Sequence, residues 1–153
     1  MKKENLYGKT DRTKVVMSIM RTADILNRYL EIELAKYGSN PTRFGTMNAL
    51  FVHGGTMTPT AISRWLFRTK HSITSMLERL DEIGLIRRER STRDGRSVNV
   101  TVTAEGWKAT KKMIPVVEQV SESSLSCLKD DELEDLMVVL KRLRGHLLKT
   151  LGS

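Results

Sequence analysis

The sequence contains little cysteine and no long apolar run, and each shortage excludes a class of protein. Cys127 is the only cysteine among 153 residues, so an intramolecular disulfide framework and a multi-cysteine zinc site are excluded. No apolar run approaches the roughly 18 residues of a membrane-spanning helix. The first 14 residues are charged and do not have the apolar stretch of a secretory signal. We therefore expect a cytoplasmic protein in a reducing compartment, with no membrane partner.

Residue patterns for metal binding and catalysis are also missing. The three histidines, His53, His71 and His146, are scattered, and no carboxylate-rich cluster accompanies them. These spacings predict no metal site. The sequence shows no phosphate-binding glycine loop, no nucleophile elbow and no catalytic set of serine, histidine and aspartate. We therefore expect neither an enzyme nor a bound cofactor.

The positive charge is confined to one part of the chain. The net charge is +8, yet residues 105–153 carry eight basic and eight acidic residues. The whole positive excess therefore lies within residues 1–104. A basic excess of this kind favours a polyanion-binding surface there, although a generally basic soluble protein is the simpler alternative.

The spacing of apolar residues predicts a mainly α-helical fold with a small β-hairpin. Apolar residues recur every three or four positions in the helical segments, whereas Val98, Val100 and Val102 alternate as in a strand. Thr58-Pro59 and Thr69 are typical helix starts. The predicted elements are helices at 13–37, 42–53, 59–66, 69–83, 104–128 and 130–151, with strands that begin at Leu85-Ile86 and at Val98.

The order of short helix, tight break, second helix and hairpin is that of a winged helix-turn-helix, whose second helix enters the DNA major groove. Opposite the apolar stripe of the second helix lies a polar face that could approach base edges and phosphates. Taken alone, this face is more typical of an ordinary solvated helix. Glu78 could accept from a cytosine amino group or hold Arg79 in position. The predicted DNA-binding residues are Lys70, His71, Ser72, Thr74, Ser75 and Arg79.

The hairpin, which forms the wing, is rich in arginine. Its strands carry Arg87, Arg88 and Arg90 on one side, and Arg93 and Arg96 flank the tight-turn pair Asp94-Gly95. An inserted guanidinium exploits the negative potential of a narrow minor groove. Paired with Arg96, Asp94 can fix the direction of that side chain. We predict Arg93 and Arg96 as DNA-binding residues of the wing and Asp94 as the residue that orients Arg96.

The stretch from Thr58 to Thr103 resembles the DNA-binding core of the MarR family of bacterial regulators. The features that match are Thr58-Pro59-Thr60-Ala61-Ile62-Ser63, Leu80-Asp81-Glu82-Ile83-Gly84-Leu85-Ile86, and Asp94-Gly95-Arg96 followed by Val100-Thr101-Val102-Thr103. The resemblance implies a transcriptional regulator, most often a repressor. It also implies that the wing arginine, here Arg96, enters the minor groove while Asp94 orients it. The residues of the recognition face are not constant in the family, so the operator sequence stays open.

The terminal helices are predicted to form a homodimer. Leu133, Leu136, Leu140, Leu143 and Leu147 make a narrow apolar seam of the kind used between helices. Packing within one chain is the alternative, but the resemblance implies helices that interlock across a two-fold axis. We therefore assign residues 1–37 and 104–153 to dimerisation and residues 42–103 to the winged helix-turn-helix.

The predicted function is sequence-specific binding to a near-palindromic double-stranded DNA operator. The resemblance further implies release by a small aromatic effector. A winged-helix module that docks another protein is the alternative, although such a module would not need paired wing arginines.

Overall fold

The computed structural model describes residues 11–90 and 98–152. In chain order the elements are α1 (Asp11–Ala35), α2 (Pro41–Val52), β1 (Thr56–Met57), α3 (Pro59–Leu66), α4 (Lys70–Glu82), β2 (Ile86–Arg90), β3 (Val98–Val102), α5 (Ala104–Leu125) and α6 (Asp130–Thr150). The mainly α-helical fold and the winged helix-turn-helix order are therefore confirmed. Helix boundaries agree with the sequence prediction to within three residues.

Side-chain caps explain where the two helices of the helix-turn-helix begin. Thr58 Oγ1 accepts a hydrogen bond from the Ala61 amide at 3.2 Å, and Pro59 occupies the first turn of α3. Thr69 Oγ1 accepts from the Ser72 amide at 3.2 Å and starts α4. These oxygens satisfy amide groups that have no partner within the helix. The predicted starts of α3 and α4 are confirmed.

The sheet has three antiparallel strands in the order β1-β3-β2. The sequence predicted only the hairpin, because β1 is two residues long and shows no alternation. Thr56 lies opposite Thr101, and Met57 lies opposite Val100. In the hairpin, Arg88 lies opposite Val100 and Ile86 opposite Val102. β3 is therefore the central strand, and β2 lies at the edge where the wing begins.

The hydrophobic core joins α2, α3, α4 and the sheet. It contains Met47, Ala49, Leu50, Met57, Ile62, Ile73, Leu77, Leu80, Leu85, Ile86, Val100 and Val102. Ile73, Leu77 and Leu80 attach the inner face of α4 to this core. Trp107 of α5 packs against it and meets the Phe51 ring edge-on, with ring centroids 4.9 Å apart. The core thus holds α4 and the hairpin in one rigid arrangement.

The chain divides after Val117 into two compact units. The first holds α1 to α4, the sheet and the start of α5, and the second holds the end of α5 and α6. Within residues 11–90 and 98–152, no helix is both long and apolar enough to cross a membrane. The same residues contain no group of three His, Cys, Asp or Glu side chains that could hold a metal ion.

Candidate nucleic-acid interface

The turn between α3 and α4 sets the direction of α4. Phe67 ends α3 in the left-handed region at φ 51°, an uncommon conformation for a residue with a side chain. The Ser63 hydroxyl donates to the Arg68 carbonyl at 2.6 Å and closes the turn. Thr69 then caps α4 directly. This short connection produces the tight break that the sequence predicted.

The outer face of α4 carries the six predicted recognition residues. Lys70, His71, Ser72 and Arg79 are exposed, and Thr74 and Ser75 are half-buried. The Thr74 hydroxyl donates to the Lys70 carbonyl at 2.9 Å, so its proton is already engaged within the helix. The structure does not test the DNA-binding roles of these residues, which stay predictions.

A groove divides the recognition residues into two sets. Ser72, Ser75 and Arg79 border a groove of about 410 Å³ together with Met76, Asn27 and Glu31 of α1, and Asn40, Pro41 and Thr42 at the start of α2. Lys70, His71 and Thr74 do not line it. The structure therefore brings Ser72, Ser75 and Arg79 together beside polar side chains of α1 and of the start of α2. The sequence did not predict that these polar side chains would lie there. No sequence signal could have found those groups, because the chain separation between α1 and α4 is long.

The two faces of β2 differ from the sequence interpretation. Arg87, Arg88 and Arg90 were expected on one side, but side chains of a strand alternate between its faces. Arg88 and Arg90 share the face of buried Ile86, whereas Arg87 lies on the opposite face, where its guanidinium is 3.7 Å from Glu89 Oε1. Counting with period two from Ile86 would have given this assignment.

Glu78 has a partner that the sequence reasoning missed. Its carboxylate was expected to accept from a base or to hold Arg79. In the structure, Glu78 Oε1 lies 3.8 Å from a terminal nitrogen of Arg88 on β2. No ion pair among the described residues links Glu78 to Arg79. The expectation for Arg79 is therefore wrong, because the fold places a second cation, Arg88, across from α4.

Three predicted site residues belong to the segment between β2 and β3. Arg93, Asp94 and Arg96 lie outside the described residues, and their proposed contact with the minor groove stays a prediction. The strands on either side, β2 and β3, are described and paired from Ile86–Val102 to Arg90–Val98.

A cationic cavity of about 480 Å³ lies between the end of α1, the start of α2 and α5. Arg43, Lys108 and Lys112 line it and outnumber one carboxylate, Glu105. None of the three cations forms an ion pair within residues 11–90 and 98–152. The other lining residues are Tyr37, Ser39, Ala109 and Met113. The cavity therefore combines positive charge with apolar walls.

Two buried polar atoms of residues that line this cavity have no hydrogen-bond partner among the described residues. They are Ser39 Oγ and Arg43 Nε, and Ser39 as a whole is only 7% exposed. A terminal nitrogen of Arg43 donates to the Gly38 carbonyl at 2.8 Å, which holds the guanidinium in place. Buried polar atoms without partners cost stability.

The terminal helices leave their apolar side chains uncovered. On α1, Val16, Ile19 and Leu26 are 54%, 39% and 38% exposed. On α6, which contains no buried residue, Leu136, Leu140 and Leu147 are 39%, 41% and 49% exposed. Residues of both predicted stripes thus remain accessible in the single chain.

Comparisons with known proteins match part of the chain to a family. The family model described as the MarR family matches residues 37–97. The regulator PecS of Dickeya dadantii is 27% identical over 135 residues, which cover 87% of this chain and 81% of PecS. PecS is an HTH-type transcriptional regulator.

Solved structures share the fold. The organohalide-sensing regulator RdhR-CbdbA1625, in its 2,4-dichlorophenol-bound form, superposes with a TM-score of 0.85 at 18% identity, covering 97% of this chain and 88% of that one. A mutant of MarR from E. coli complexed with operator DNA has a TM-score of 0.82 at 20% identity, covering 92% and 99%. Residues 37–97 thus match the MarR family, and the chain shares its fold with winged helix-turn-helix transcriptional regulators of that family.

Proposed function

We propose that this chain is a cytoplasmic homodimeric repressor that binds a near-palindromic double-stranded DNA operator through α4 and the wing. The observation that carries the proposal is α4 itself, whose inner face is anchored in the core while its outer face presents exposed basic and polar residues. This is the arrangement of a recognition helix in the major groove. Regulators of this family are not enzymes, so the chain is a binding protein.

The terminal helices support the homodimer. Exposed apolar stripes on α1 and α6 lose contact with water when a second copy covers them, and this burial stabilises association. A two-fold axis would present two copies of α4 to one face of the duplex. Their separation should then match about one helical turn of DNA, or roughly 34–36 Å.

Sequences enriched from a random duplex library test the operator and the dimer together. We expect two inverted half-sites whose centres are about 10 base pairs apart. A module that docks another protein would enrich no sequence, and a monomeric DNA-binding protein would enrich a single half-site.

The cationic cavity supports a small aromatic acid as the effector. An anionic group would pair with the charged ends of Arg43, Lys108 and Lys112. An aromatic ring would lie against Tyr37 and Met113. The cavity joins the end of α1 to the start of α2, so a ligand there could change the spacing of the two recognition helices in a dimer.

Benzoate and its neutral analogue benzamide test this site. Benzoate at ten times its Kd should raise the melting temperature of the wild-type protein by roughly 3–6 °C, and benzamide should not. The shift should disappear in Arg43→Gln and persist in Arg28→Gln, whose guanidinium pairs with Glu31 elsewhere on α1. Equal shifts with both compounds, or an undiminished benzoate shift in Arg43→Gln, would contradict an anion site at Arg43.

A further inference from the structure

Arg88 occupies a position that the strand pattern assigns to the core. It lies between Ile86 and Arg90 on one face of β2, and its register partner Val100 is fully buried. An apolar side chain would pack well there. Arginine at such a position carries a desolvation cost, so a compensating interaction is expected.

The Arg88 guanidinium has almost no compensation within the described part of the chain. Its side chain is 27% exposed, and its Nε is buried without a hydrogen-bond partner. The distance of 3.8 Å to Glu78 Oε1 allows electrostatic attraction but is too long for a hydrogen bond. The guanidinium is therefore held by charge, while its N–H donors remain unused.

Glu78 also requires explanation, because a carboxylate on the outer side of α4 would repel DNA phosphates. Its side chain is 53% exposed, and the Arg88 guanidinium is its ion-pair partner. Pairing offsets part of the charge of the carboxylate and draws the guanidinium toward the junction of α4 and the wing strand. Planar guanidinium groups match the oxygen geometry of phosphate.

We propose that Arg88 is a phosphate-binding residue of the DNA interface and that Glu78 is its positioning residue. The proposal rests on the proposed DNA binding by α4 and the wing. The terminal N–H groups of Arg88 contact a backbone phosphate that borders the groove entered by α4. Glu78 holds the guanidinium in the free protein and reads no base.

Replacing Arg88 tests the phosphate contact. Arg88→Gln should weaken DNA binding about tenfold, both to the enriched operator and to unrelated duplexes. It should also reduce the magnitude of the slope of log association constant against log salt concentration by about one. Arg88→Lys should keep the wild-type slope, since it keeps the charge. The matched control is Arg87→Gln, which removes the same charge from the opposite face of β2 and should leave the slope close to that of the wild-type protein.

A double-mutant cycle tests the positioning role of Glu78. In the Arg88→Gln background, Glu78→Gln removes an unpaired carboxylate and should strengthen DNA binding about threefold or more. When Arg88 is present, the same change also releases the guanidinium, so this gain should vanish. Melting temperatures of all four proteins, measured without DNA, separate these effects from loss of folding.

Each possible outcome decides the proposal. Equal gains from Glu78→Gln in both backgrounds, or an unchanged salt slope in Arg88→Gln, would overturn it. A changed base preference in Glu78→Gln would show that Glu78 reads a base, and the proposal would be wrong. Another outcome is that the wild-type protein binds operator with strong salt dependence while the effects of Arg88→Gln and Glu78→Gln simply add. In that case the proposed role of the Arg88–Glu78 pair is wrong, and the proposed DNA binding stands. Absence of any DNA binding by the wild-type protein would overturn the proposed function as well.

Discussion

Arg79→Glu should reduce operator affinity by roughly 100-fold or more while leaving the fold intact, since like charges brought together at an interface cost several kcal/mol. Arg79 is exposed on α4 and borders the groove that Ser72 and Ser75 share. The change removes a cation from the DNA-facing side and places a carboxylate there. Fluorescence anisotropy of a labelled operator would measure the loss.

The control for Arg79→Glu is Arg142→Glu on α6. Arg142 is also exposed on a helix, so the two variants have the same net charge. Helical periodicity places it on the side of α6 away from the leucine seam. Arg142→Glu should keep operator affinity within a few-fold of the wild-type value, a change that reflects total charge alone. Equal losses in both variants would mean that net charge, and not the face of α4, determines DNA binding.

Gly106→Ala should destabilise the protein by about 1–3 kcal/mol, although alanine is the better helix former. A Cβ at Gly106 would overlap the Leu85 carbonyl oxygen and come within 2.8 Å of Val102 Cγ1. The carbonyl belongs to the backbone and accepts a hydrogen bond from the Thr103 amide at 3.1 Å, so it cannot move aside freely. The first turn of α5 would be pushed away from the sheet.

The same substitution at Gly145 provides a control of opposite sign. Nothing lies within 4 Å of a Cβ added there, in the middle of α6. Gly145→Ala should therefore stabilise the protein by about 0.5–1 kcal/mol through helix propensity alone. Urea denaturation, followed by circular dichroism, would compare the two variants. Similar free energies of unfolding for both would contradict the close contact between α5 and the sheet.

Local chemistry explains why much of the fold could be predicted from the sequence. Thr58 and Thr69 start their helices with hydrogen bonds three residues along the chain, so the signal and its effect lie within one turn. Likewise, Gly84 adopts φ 73° just after α4, where the sequence predicted a stop. In contrast, β1 depends on pairing with β3, 45 residues away, and its two residues show no periodicity.

The candidate site was less predictable because its contacts join distant segments. The sequence indicated which residues of α4 face outward, since an apolar stripe defines the opposite face. It could not show that Asn27 and Glu31 border the same groove as Ser75, or that Arg88 lies across from Glu78. Both relations arise from the tertiary arrangement of α1, β2 and α4, which no local pattern encodes.

Parallel enrichment of bound duplexes by the wild-type protein, Ser75→Ala and Lys70→Ala tests the central claim that α4 reads operator DNA. We predict a near-palindrome for the wild-type protein, an altered base preference at one symmetric pair of positions for Ser75→Ala, and the wild-type motif at lower affinity for Lys70→Ala. Enrichment of no motif by the wild-type protein, or of an identical motif by Ser75→Ala at undiminished affinity, would contradict base reading by this face of α4.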